Sequence, residues 1–97
     1  MLLNGVNENG LMLLLRKNGI KAEQQFPINV YLDGEIIGNY FADIFVENKI
    51  ILELKTVKEI TSIHRAQVIN YLKATGVRLA IVLNFGKEEL EFERIIK

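Results

Sequence analysis

The chain has 97 residues, 49% of them apolar, which is enough for one core without cross-links, and it contains no cysteine. Twelve basic and twelve acidic side chains cancel, which excludes the overall positive field of proteins that hold nucleic acid by bulk charge. The N-terminus has no basic and apolar leader, and no run approaches the roughly 20 apolar residues of a membrane span. One soluble domain over residues 1–97, cytoplasmic and with no membrane contact, is therefore expected.

From Leu2 to Asn18 the residues Leu3, Val6, Leu11, Leu14 and Leu15 recur at helical spacing, and Gly19 supplies a C-terminal cap. Gly5 and Gly10 weaken the first half of this helix. Ala22 to Leu32 alternates, with Phe26, Ile28, Val30 and Leu32 apolar, and Pro27 places that strand at an edge or at a strand start. Asp33-Gly34 is a hairpin turn signal, and Gly38 marks a second break or bulge. The strands Tyr40 to Val46 and Ile50 to Lys55 follow, joined by Glu47-Asn48-Lys49, so three strands form an antiparallel meander.

Thr61 or Ser62 caps a helix over Ile63 to Thr75 that ends at Gly76. Its apolar residues lie nearly all round, which predicts a largely buried helix. Arg78 to Phe85, with Leu79-Ala80-Ile81-Val82-Leu83, suits a central strand, and Leu90 to Ile96 suits a terminal edge strand. The predicted class is α/β, more closely α+β-like: a mixed central sheet with a three-strand meander, a helical crossover and flanking helices.

Asp43 interrupts an apolar strand, where an isolated carboxylate is costly to desolvate. Glu53 and Lys55, two residues apart on the next strand, share one face. If Val46 pairs with Ile50, counting back along both strands sets Asp43 opposite Glu53. Facing carboxylates repel unless a proton or a cation lies between them. Mg²⁺ or Mn²⁺ fits such a site, since hard ions take carboxylate oxygens and waters and leave room for a phosphate. Lys55 is then placed to orient or activate a water, or to stabilise charge on a scissile phosphate. A buried Lys-Glu-Asp ion-pair network without metal is the structural alternative. Lys55, Lys58, Arg65, Lys73 and Arg78 are the candidates for local nucleic-acid contact. His64, the single histidine, reads as a capping or packing residue, and Tyr71 as core or rim.

Tyr40-Phe41-Ala42-Asp43-Ile44, Ile51-Leu52-Glu53-Leu54-Lys55, the helix Ile63 to Gly76 and Leu83-Asn84-Phe85-Gly86 together resemble the bacterial GxxExxY proteins of the PD-(D/E)XK nuclease-like superfamily. That resemblance covers nearly the whole chain and implies a restriction-endonuclease-like core. It also implies metal-dependent phosphodiester hydrolysis of nucleic acid, or a catalytically silent binding or assembly module on the same fold. Asp43 and Glu53 become metal ligands with Leu54 a third candidate, Lys55 the catalytic lysine, and Gln67 with Tyr71 the accompanying helix pair. The glutamate of the family's name falls on Asn4 and its tyrosine on Asn7, which leaves Glu8, one helical turn along, as the carboxylate able to substitute. The leading helix expected of relatives has no counterpart here. A homodimer through the first helix, with Leu3, Val6, Leu11 or Leu14 at the contact, is the expected cover for the surface thereby left open.

Overall fold

The computed structural model describes residues 4–97, with side chains from Asn7 onward, so Leu3 and the side chain of Val6 lie outside it. Two helices, α1 (Asn4–Lys17) and α2 (Ser62–Thr75), flank a sheet of five strands: β1 (Ala22–Leu32), β2 (Glu35–Val46), β3 (Ile50–Lys55), β4 (Leu79–Asn84) and β5 (Glu91–Ile96). The strands lie in chain order across the sheet. All neighbours are antiparallel except β3 and β4, which α2 joins as a parallel crossover.

This arrangement is the predicted meander, crossover and terminal strand. Pro27 sits on an edge strand, where its missing N–H costs no ladder bond inward. The register Val46↔Ile50, Phe45↔Ile51 and Ile44↔Leu52 is the one expected from the short loop.

Each face of the sheet carries its own apolar cluster. On one face Met12, Leu11 and Leu15 of α1 cover Ile44, Val46, Leu52 and Leu54. On the other, Val68, Tyr71 and Leu72 of α2 cover Ala42, Phe45, Ile51, Ala80 and Val82. Central β3 is covered on both sides, and its residues Ile51 to Leu54 are all buried.

Three expectations are corrected. The second strand begins at Glu35 and not at Tyr40, because Asp33 and Gly34, with φ of 50° and 81°, close a tight two-residue turn and the ladder starts at once. The predicted irregularity near Gly38 is a register shift that leaves Ile37 unpaired, after which the strand continues. Helix α2 buries a stripe and not its whole circumference, since Ile63 is 79% exposed and Ile69 is also exposed. Among the described residues nothing packs on the outer face of α2 at Ile63 and Ile69.

The β1–β2 hairpin extends well beyond the segment that pairs with β3. Within it the alternation of faces breaks. Ala22, Ile44 and Val46 belong to the α1 side, whereas Phe26, Ile28 and Ala42 belong to the α2 side. The switch falls at Gln25, whose φ is 52°, and at Asp43, while the register on either side stays the same. A positive φ at a non-glycine residue inside a strand is a strained conformation. Here it lies next to the carboxylate picked out by sequence.

Candidate functional site

Asp43 and Glu53 meet where β2 and β3 part. The backbone pairing ends at Ile44↔Leu52, and the next step is made by side chains instead. The Asp43 N–H donates to Glu53 Oε1 at 3.2 Å, and the Leu54 N–H donates to Asp43 Oδ2 at 2.7 Å. Each carboxylate thus substitutes for a ladder acceptor, which keeps the main-chain groups satisfied and holds the two acids close together.

The cost is electrostatic. Glu53 is 4% exposed, and burial first, then the Asp43 charge, push its pKa up to about 8. Asp43 is also raised, mainly by burial and further by Glu8, while the Leu54 N–H, Lys55 and the Gln25 side chain oppose the rise. Tyr71 is pushed up to about 12 by burial and by the two carboxylates, so its phenol remains a neutral donor.

Lys55, at the end of β3, donates from Nζ to Gln67 Oε1 at 3.1 Å. The strand period sets Glu53 and Lys55 toward α2, and Gln67 and Tyr71, one helical turn apart, meet them from that helix. Glu8 approaches from α1 but is engaged: it accepts from Gln24 Nε2 at 2.7 Å and from Gln25 Nε2 at 3.0 Å. Gln25 therefore lies between two carboxylates, accepted by Glu8 and bonded to Asp43.

Of the sequence-predicted site residues, Asp43, Glu53, Lys55, Gln67, Glu8 and Tyr71 interact around the parting of β2 and β3, and Leu54 joins them through its main chain while its side chain packs on the α1 side. Among the described residues no third Asp, Glu or His completes a metal-holding group with the pair. Two carboxylates suffice for a Mg²⁺-like ion, which retains several waters. The oxygen donors of Asp43 and Glu53 fit a hard divalent ion, and Lys55 partly offsets their charge.

Three contributors escaped the sequence reading. Gln24 and Gln25 are neighbours that regular alternation would send to opposite faces, and the backbone switch at Gln25 lets both side chains reach Glu8, with Gln25 also bonded to Asp43. Asn84, fully buried, anchors the other end of the site. Its Oδ1 accepts from the Val57 and Gly86 N–H groups, and its Nδ2 donates to Val57 O and Glu91 Oε1, all within 2.8–2.9 Å. The segment after Lys55 is thereby tied to the end of β4. Gly86 lies so close to Val57 that an added Cβ would meet its carbonyl oxygen at 2.2 Å, so only glycine fits there.

Two other readings resolve simply. His64 Nδ1 accepts the Thr61 N–H at 3.0 Å, a capping role. Arg65 is withdrawn from the cations available to nucleic acid, because it pairs with Glu93 at 2.6 Å and bonds Ile60 O.

Comparison with known proteins agrees with this architecture. The chain aligns with the solved structure titled "Crystal structure of SSO0001" at a TM-score of 0.73 and 19% identity, over 96% of this chain and 49% of that one, a likeness of fold. The chain thus spans about half the length of that neighbour. No curated protein matches. A family model described as PD-(D/E)XK nuclease superfamily matches residues 1–95. With its mixed sheet and the acids at the parting of β2 and β3, the chain belongs to the PD-(D/E)XK nuclease superfamily.

Proposed function

We propose that this domain hydrolyses phosphodiester bonds of nucleic acid with Mg²⁺ or Mn²⁺, held by the carboxylates of Asp43 and Glu53 and the main-chain carbonyl of Leu54. The observation that carries this reading is the pair itself: two acids brought together at a strand parting, one of them with its pKa pushed up to about 8. A bound divalent ion would supply Lewis acidity and charge neutralisation at the phosphate. The protein's own groups do the rest. Lys55, steadied by Gln67, stands on the same face to orient a water or to meet charge developing on a phosphate oxygen. Tyr71 offers a neutral hydroxyl beside the carboxylates.

Cleavage of labelled single-stranded and duplex DNA and RNA, with EDTA or with Mg²⁺ or Mn²⁺, tests the proposal. Metal-dependent cleavage that Glu53→Gln and Lys55→Ala both abolish is the expected result, and no cleavage of any substrate with either metal overturns it.

A second reading has its own support. Glu8 is tied to Gln24 and Gln25, which leaves two side-chain carboxylates for the ion. A catalytically silent module that binds nucleic acid or protein would need no more. Metal binding measured by calorimetry, together with an absence of cleavage, identifies that case. Self-association through α1 belongs to either reading.

A further inference from the structure

A cavity of about 700 Å³ opens beside the carboxylate site, between the free part of the β1–β2 hairpin and α2. Two residues of the site form part of its wall: Gln67, which holds Lys55, and Tyr71. Tyr40 packs against Tyr71, with ring centroids 5.7 Å apart and planes inclined by 43°, so the two residues belong to one wall of the cavity. Tyr31 is the third aromatic residue of the lining, and Tyr31 and Tyr40 are 58% and 45% exposed. The lining includes the amides of Asn29, Gln67 and Asn70, and among the described lining residues only Lys73 is charged.

This composition is selective. Aromatic rings stack on any nucleobase, side-chain amides present the paired donor and acceptor that base edges require, and a lysine suits a neighbouring phosphate. Among the described residues no carboxylate lines the cavity, although the chain has as many acidic as basic residues. A base inside a duplex is stacked on both sides and cannot enter a cavity without leaving the helix. We propose that the cavity between Tyr31, Tyr40 and α2 binds an unpaired nucleobase flanking the scissile phosphate, so that the substrate is single-stranded or has an extruded nucleotide at the site. This assignment rests on the phosphodiester-hydrolysis reading for the location of the scissile bond, but base binding itself needs no metal.

The test is binding of the full chain in EDTA to fluorescein-labelled oligothymidylate, to an abasic strand of the same length and to a blunt duplex, followed by anisotropy. The normal strand is expected to bind about tenfold or more tightly than either of the others, and Tyr31→Ala and Tyr40→Ala each to weaken it by about tenfold. Tyr40→Phe, which keeps the stacking face, is expected to retain affinity. Equal affinity for the abasic strand or the duplex, undetectable binding of the normal strand, or unchanged affinity in both alanine variants overturns the proposal. Tyr31 is exposed, so its variant reports on the cavity even if Tyr40→Ala disturbs packing against Tyr71. Binding in EDTA and metal-dependent cleavage, both measured on the wild type, separate the two readings. Base-dependent binding without any metal-dependent cleavage by the wild type removes hydrolysis alone, whereas cleavage without base dependence removes the cavity alone.

Discussion

Glu53 makes the stability of this protein depend on pH in an unusual direction. The folded chain retains its proton up to about pH 8, while the unfolded chain releases it near 4.5. Between those values the folded state binds more protons, so stability falls as pH rises, and Asp43, also raised, acts in the same sense. In EDTA, urea unfolding is expected to give a lower free energy at pH 8.5 than at pH 5, by an amount on the order of a few kcal/mol. Glu53→Gln keeps the side-chain oxygen that accepts the Asp43 N–H and should flatten that slope while abolishing Mg²⁺ or Mn²⁺ binding. A steep slope in the variant, or unchanged metal affinity by calorimetry, would assign the effect to other groups. Asn84 is a different case. Its removal strands the Val57 N–H and carbonyl in the interior, and Asn84→Ala is expected to cost about 2–3 kcal/mol or more in the same unfolding measurement.

At the scale of elements, α1 is the least optimised piece. Gly10 lies within the helix, and an added Cβ would meet nothing within 4 Å. Gly10→Ala should therefore stabilise the protein by about 0.5–1 kcal/mol, read as a higher unfolding midpoint, and a loss of stability would mean that the helix leans on the space left open. The hairpin shows the opposite balance. It accepts strain at Gln25, and the resulting change of face brings Phe26 against Phe45, with centroids 4.5 Å apart, and frees Asp43 to bond across to β3. The strain and the site are thus parts of one feature.

For the whole molecule, exposed apolar side chains occur on α1, on the β1–β2 hairpin, on α2 (Ile63 and Ile69) and in or next to β5 (Leu90, Phe92 and Ile96). Leu13 and Leu14 project from α1, and Tyr31, Leu32, Ile36, Ile37 and Phe41 project from the hairpin. Leu11, expected at a dimer contact, instead packs against the α1-side core, so its substitution would disturb the fold itself. Leu14 is the proper probe of the expected self-association. Light scattering at micromolar concentration should show a dimer that Leu14→Glu dissociates and Ile37→Glu does not; a monomeric wild type, or the reverse pattern, removes α1 as the interface.

Local chemistry made much of this protein legible in advance. Alternation along the strands, the Asp33-Gly34 turn and the three-residue loop before Ile50 set the strand order and the register that opposes Asp43 to Glu53, because side-chain period and turn length are local properties. The spacing of Glu53 and Lys55 gave them one face for the same reason. What only tertiary structure decided depends on which surfaces meet. The change of face at Gln25, the engagement of Glu8 by two glutamines, the burial of one stripe of α2 and the two hydrogen bonds of Asn84 to Val57 depend on residues distant in sequence. The raised pKa of Glu53 is of that kind too, since desolvation belongs to the packed interior and not to the strand that carries the carboxylate.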